Sequence, residues 1–257
     1  MQERLDFVRI QPHRIFDLGC SRGASFAGLI ARYPDAETYG VDFAHEMLRN
    51  ERSVAPPWFK WFGQRRSGTK FMAADVTSLP VRTATAGLVW SNLLLHWLDK
   101  PESFFSEIHR VLEVGGLLMF SALGPDSLKE LRWAFGDGPP RTLRFLDMHD
   151  IGDMLVAAGF ADPVMDMEII TLTYDTFDDL LRECRASGSF CAMNSRAKGL
   201  VGRGYWAAAR ERYESLRRDG KLPATLEVVY GHAWKPQPKA LSDGRAIIRF
   251  GQRPETR

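Results

Sequence analysis

Through the first half of the chain, short apolar runs that stop at a polar residue alternate with stretches whose apolar residues recur every three or four positions. Arg14–Leu18, Thr38–Val41, Lys70–Ala73 and Gly87–Ser91 have the length and continuity of buried strands. Between them, Ser25–Tyr33 and Ala44–Asn50 read as helices, the first stopping before Pro34-Asp35. The clearest helix is PESFFSEIHRVLEVGG. It opens at Pro101, where a missing N–H costs least, and Phe104, Phe105, Ile108, Val111 and Leu112 make one apolar face. Gly115-Gly116 is predicted to end it, and Leu117–Leu123 follows as a buried strand.

Strands alternating with helices predict right-handed βαβ crossovers, a mostly parallel sheet and an α/β fold of Rossmann-like type. In such sheets ligands gather beyond the carboxyl ends of the strands. Asp17, Asp42, Asp75 and Ser91 each fall at or just after a predicted strand end. The second half changes character. Helix Met148–Ala158 is closed by Gly159, Pro163–Tyr174 alternates toward strand, and Thr176-Phe177-Asp178-Asp179 resembles a capping box opening helix 177–186. A basic helical stretch runs to about Lys221, and Leu226–Trp234 reads as a late strand. The last dozen residues look loosely attached apart from a short possible strand, AIIRF. One domain over 1–257 is expected, with its core at about 10–174 and 226–257 and a C-terminal helical substrate cap at about 175–225.

Composition narrows the function classes. An apolar fraction of 45% with 26% charged residues suits a globular protein with a sizeable core, and a formal charge of +2 does not suggest nucleic acid. The longest apolar-rich stretch, GLVWSNLLLHWL (87–98), is too short and polar for a transmembrane segment, and MQERLDFVRI lacks a secretory apolar region. Three cysteines without close CxxC spacing fit a reducing cytoplasm. The six histidines show no ligand spacing, so no metal is expected.

The stretch RIFDLGCSRG (14–23) carries the candidate chemistry. A glycine-rich turn entering a helix can bind phosphate, but a P-loop needs Lys-Ser/Thr where Ala24-Ser25 stands, and Ser21 and Ala24 replace two glycines of a dinucleotide fingerprint. What remains is Asp17 before the turn, Gly19 and Gly23 for close backbone approach, Asp42 placed to accept from a ribose diol, and Asp75 for an exocyclic amino group. That set suits an adenosine carrying an amino acid better than one carrying a pyrophosphate. Asp17 as a simple helix cap is the plainer alternative.

As a set, FDLGC-x-x-G, GVDF, AADV, VWSNLLLHW and IHRVLEVGGLLMFS resemble the class I S-adenosylmethionine-dependent methyltransferases over roughly residues 14 to 123. The resemblance implies that Asp17 and the turn of Gly19, Cys20, Ser21 and Gly23 hold the methionine end and that Asp42 holds the ribose. Phe43 would lie against the adenine, Asp75 and Val76 at its polar edge, and Ser91 and Asn92 along the methionine side. Ser21 stands where the family usually has glycine, and a serine fits if its φ is negative. Farther on, GPDSLKELRWAF, FLDMHDIGDMLVAAGFADPVMDMEIITLTY and LPATLEVVYGHAWKP are similar to biotin-pathway malonyl-acyl-carrier protein O-methyltransferases (BioC type). This implies methylation of the free carboxylate of a malonyl thioester on acyl-carrier protein. The family also has a helical segment ahead of the first strand. Only about a dozen residues precede Arg14, so a shortened start or a more open pocket is expected.

A carboxylate acceptor is already ionised at neutral pH, so no general base is needed and none stands out. His96 and Trp97 follow the fourth strand, where a substrate would meet the methyl group; packing and helix capping are the alternative. Residues 195–221 carry a local excess of five positive charges. Arg196, Lys198 and Arg203 are the candidates for steering an acidic carrier protein and pairing with the malonyl carboxylate, against the plainer reading of a solvated helix face. The aromatic and basic residues of PPWFKWFGQRRSGTK (56–70) could dock a carrier or a membrane surface, or simply pack on a neighbouring helix. Two other functions stay open: methylation of another small acid or quinone precursor, and a methyltransferase-fold assembly factor acting on a protein partner.

Overall fold

A computed structural model describes residues 1–49, 69–136, 140–188, 199 and 202–238. Seven strands, β1 (Arg14–Leu18), β2 (Glu37–Asp42), β3 (Lys70–Ala73), β4 (Ala86–Asn92), β5 (Leu112–Leu123), β6 (Ala161–Tyr174) and β7 (Leu222–Trp234), form one sheet in the order β3-β2-β1-β4-β5-β7-β6. The first five pair in parallel, and β7 runs antiparallel between β5 and β6. The expected Rossmann-like, mostly parallel sheet is therefore present.

Alternation of side chains along the strands sends one core to each face. Phe16, Leu18, Val89, Leu118 and Phe120 face Phe104, Phe105 and Ile108 of α3 (Pro101–Val111) and Leu155 of α5 (Met148–Ala157). Their neighbours Ile15, Leu88, Trp90, Leu117 and Met119 face Leu29 of α1 (Phe26–Arg32) and Leu5 of the N-terminal 3-10 turn Gln2–Phe7. Because β1 and β4 lie at the centre of the sheet, their carboxyl ends are walled on both sides and make a natural ligand position.

A second core sits at that same end. β5 leaves the sheet at Leu123, opposite Val228, while the β6–β7 ribbon continues to the pair Tyr174–Leu222. On this overhang pack α4 (Lys129–Phe135), α6 (Phe177–Ala186) and α7 (Arg203–Glu214), through Leu131, Phe135, Phe177, Leu181, Tyr213, Leu222 and Ala224. The carboxylate of Glu130 takes the Thr225 N–H at 3.0 Å and the Thr225 hydroxyl, and the Tyr213 hydroxyl donates to the Pro223 carbonyl at 2.6 Å.

Several boundaries differ from the sequence reading. The helix from Pro101 ends at Val111, and Gly115-Gly116 lies inside β5, because Gly115 N–H already pairs with the Lys235 carbonyl at 2.8 Å. Helix α4 carried no periodic signal long enough to be found, and β7 begins four residues early, through a proline. Thr176 does cap α6, its hydroxyl accepting from Asp179 N–H at 3.2 Å. Helix α2 (His45–Arg49) follows β2 as expected. Residues 56–68 of the aromatic-basic loop 56–70 and the AIIRF segment lie outside the described residues, and Lys70 at the end of that loop opens β3. Among those described, no helix is long and apolar enough to cross a membrane.

Candidate active site

Asp17 is the inner wall of the site. It lies in β1 between Ile15 and Leu18, 1% exposed, and its Oδ2 is a buried polar atom with no hydrogen-bond partner. Burial pushes its carboxyl up to about 7, against a lowering hydrogen bond from Ser25 and with a further rise from the charge of Asp42. Ser25 Oγ in turn accepts from Trp90 Nε1 at 3.1 Å, so the carboxyl group is positioned from β4 as well as from its own strand. Ser25, not Asp17, occupies the cap position of α1, which removes the helix-cap reading. A buried acid with one oxygen unsatisfied is costly unless a ligand completes it.

The turn after β1 is held shut from β2. Gly19 N–H and Cys20 N–H both donate to the Val41 carbonyl, at 2.8 and 3.1 Å, and Gly23 N–H donates to the Cys20 carbonyl at 2.7 Å. Gly19 and Gly23 have φ of +69° and +72°, the left-handed region, and a Cβ on Gly23 would lie 2.5 Å from the Phe26 ring. Ser21 contradicts the expectation of a negative φ: it stands at +46°. Its N–H donates to Asp42 Oδ2 at 2.9 Å, and that bond holds the serine in a conformation that usually takes glycine.

Asp42 thus carries the geometry of the turn as well as its own candidate role. Oδ2 takes Ser21 N–H and Oδ1 takes Ala44 N–H at 2.8 Å. A carboxylate has about four acceptor positions, so two remain for a diol. Phe43, next along, is 81% exposed, a free aromatic face beside the turn. Across β3, Asp75 Oδ1 accepts both the N–H and the hydroxyl of Thr77, at 2.8 and 2.7 Å, which lowers its carboxyl below the usual range. Val76 beside it is buried in the main core.

On the other side of Asp17, Ser91 is fully buried in β4 with its Oγ unpartnered. Asn92 Oδ1 accepts from Ser121 Oγ at 2.5 Å, and the chain then turns through Leu93 at φ +55°. The next residues, Leu95–Trp97, form a 3-10 turn. His96 packs edge-on against Phe145 with centroids 5.9 Å apart; burial pulls it down to about 4, and its Nδ1 lacks a partner. It is therefore a neutral imidazole near pH 7. Trp97 is 44% exposed and lies against Gly188, past the end of α6.

The structure therefore gathers Asp17, Gly19, Cys20, Ser21, Gly23, Asp42, Phe43, Asp75, Val76, Ser91 and Asn92 along the carboxyl ends of β1, β2, β3 and β4, with His96 and Trp97 just beyond. Of the basic candidates, Arg203 is exposed at the first position of α7, while Arg196 and Lys198 lie outside the described residues. Basic charge nearby is partly neutralised by acids the linear count did not include: Arg210 pairs with Asp178 at 2.6 Å and Lys221 with Asp175 at 2.5 Å. Sequence reading missed Ser25 and Phe145, whose roles arise from contacts across the fold. No group of metal-ligating side chains occurs among the described residues.

Comparison with known proteins gives the family. Residues 16–120 match a family model described as a methyltransferase domain. A malonyl-acyl-carrier protein O-methyltransferase of Gallionella capsiferriformans is 49% identical over 97% of this chain and 86% of its own length. One from Nitrosospira multiformis is 47% identical over 93% and 81%. Among solved structures, the YcgJ protein of Bacillus subtilis superposes with a TM-score of 0.62 at 15% identity, covering 92% of this chain and 97% of its own, which shows the shared fold.

Proposed function

The chain belongs to the malonyl-acyl-carrier protein O-methyltransferases, S-adenosylmethionine-dependent enzymes of biotin synthesis, and from that membership we propose how its residues divide the work. The observation that carries the assignment of the cofactor site is the buried, half-satisfied carboxyl of Asp17 beside a turn closed by Gly19 and Gly23. An α-ammonium there would supply the missing donor to Oδ2. Ser91 and Asn92 would line the methionine side. Asp42 would accept from the ribose, Phe43 would cover the adenine, and Asp75 and Val76 would meet its edge.

S-adenosylmethionine supplies an electrophilic methyl group on a sulfonium. The protein's own part is orientation and exclusion of water, since the acceptor carboxylate is already ionised at neutral pH. A neutral His96 serves as wall and hydrogen-bonding group and does not need to take a proton. The helices over the β6–β7 overhang would form the cap on the acceptor side. Arg203, with Arg196 and Lys198, would meet an acidic carrier protein in a reducing cytoplasm.

Methyl transfer from labelled S-adenosylmethionine to malonyl-acyl-carrier protein, with malonyl-CoA in parallel, tests the reading. Base-labile label that depends on the carrier is expected. Tight cofactor binding with label on neither malonyl compound would overturn it.

A further inference from the structure

Among the described residues six buried side-chain polar atoms have no partner, and two of them, Thr38 Oγ1 on β2 and His109 Nε2 on α3, lie outside the site. Asp17 Oδ2, Ser91 Oγ and His96 Nδ1 belong to the site above; Arg141 Nε is another. Among the described residues Arg141 is the one arginine or lysine with such an atom. It lies in the described residues 140–147 ahead of α5. Four residues on, Phe145 of the same segment packs on His96.

Its guanidinium carbon sits 5.7 Å from the Phe135 ring centroid and 5.3 Å from that of Tyr205. Those two rings stack on each other at 5.8 Å, and the Tyr205 hydroxyl donates to the Phe135 carbonyl at 3.2 Å. Aromatic neighbours at this distance hold a planar cation in place without consuming its N–H groups. Three arginines of the second core are already committed: Arg132 donates to the Ser127 and Pro125 carbonyls, Arg210 to Asp178, and Arg217 to Glu214 and to the Asp175 carbonyl, while Arg144 and Arg212 are exposed. Arg210 also lies over a ring, that of Phe177 at 5.5 Å, but of Arg132, Arg141, Arg210 and Arg217 it is Arg141 that carries no hydrogen bond among the described residues.

We propose that Arg141 recognises the free carboxylate of the acyl substrate, resting on the functional reading above. A guanidinium N–H pair holds a carboxylate through one or both oxygens, and a lone pair stays available on the oxygen that attacks the methyl group. The bond formed is O–CH3, the bond broken is CH3–S, and the sulfur keeps the electron pair, so the arginine neither gains nor loses a proton. It selects a carboxyl-bearing acyl chain over an uncharged one. It is thus a substrate-binding residue distinct from the basic surface that would meet the carrier.

The test compares binding of malonyl- and acetyl-acyl-carrier protein, with S-adenosylhomocysteine present so that no turnover occurs, for the native protein, Arg141→Gln and Arg141→Lys. The preference for malonyl is a ratio within each variant, so a loss of folded fraction cancels. Native protein is expected to prefer malonyl by about tenfold or more, Arg141→Gln to fall within about twofold, and Arg141→Lys to lie between. A preference kept in Arg141→Gln, or absent from the native protein, would overturn the proposal. A separate methylation assay tells the two readings apart: native preference lost in Arg141→Gln, without methyl transfer to malonyl-acyl-carrier protein, would sink the proposed reaction and leave carboxylate recognition standing.

Discussion

Asp17 shows how one residue couples the fold to its ligand. With its carboxyl raised from an ordinary 3.8 to about 7, the ligand-free fold holds that proton more tightly than the unfolded chain does. Its contribution to stability is therefore fully present below about pH 4, falls as pH rises toward 7, and is constant above. An ammonium beside Oδ2 reverses the preference. Cofactor affinity is expected to rise about tenfold between pH 6 and 8, with a proton released on binding near pH 6.5. Calorimetry in two buffers of different ionisation heat would measure this, and a pH-independent affinity would contradict it. In Asp17→Asn the pH dependence should vanish and binding weaken, while the ligand-free melting temperature holds or rises. Ser21 makes a complementary case. At φ +46° it bears a conformational cost that glycine does not, so Ser21→Gly should gain about 1 kcal/mol, read from the denaturant midpoint at unchanged slope.

At the scale of elements, strands β1 to β5 and helix α3 were legible because each is a continuous apolar run or a clean 3.6-residue stripe. Helix α4 was not, because seven residues give too few turns to show a period, and its apolar face meets partners about 40 to 90 residues away. The two cores should also separate experimentally. Leu222 is fully buried among α4, α6 and α7 on the overhang, and none of its cluster touches the turn after β1. Leu222→Ala should cost about 2–4 kcal/mol by chemical denaturation. Cofactor affinity measured well below the unfolding midpoint should stay within about twofold. A loss of cofactor binding in parallel with the lost stability would mean that the cores are one unit.

For the whole molecule, net charge says little, since +2 is spread over many compensated pairs. What counts is which cations have no acid beside them. Arg203, Arg212 and Arg218 are exposed and make no ion pair among the described residues, unlike Arg210, Arg217 and Lys221. If they meet an acidic carrier, KM for malonyl-acyl-carrier protein should rise severalfold from low salt to 0.3 M, about the range over which surface charges become screened. The KM for S-adenosylmethionine should barely move. Charge reversal at the three positions together should abolish the salt dependence; equal salt effects on both substrates would speak against carrier steering.

The sequence by itself determined the alternation of strands and helices through the first half, the mostly parallel sheet it implies, and the polar residues at the strand ends. Each of these depends on local periodicity and on neighbours within a few positions. Thus Asp17, Asp42, Asp75 and Ser91 could be read as a site before any contact was known. It could not reveal that Ser21 takes a left-handed φ, which a hydrogen bond from its N–H to Asp42, 21 residues away, decides. Nor could it reveal that Gly115-Gly116 belongs to a strand, that acids at 175 and 178 neutralise part of the basic stretch, or that Arg141 rests on Phe135 and Tyr205 with an N–H to spare. These are long-range pairings, and side chains far apart in sequence acquire a partner, or are left without one, only once the sheet has brought them together.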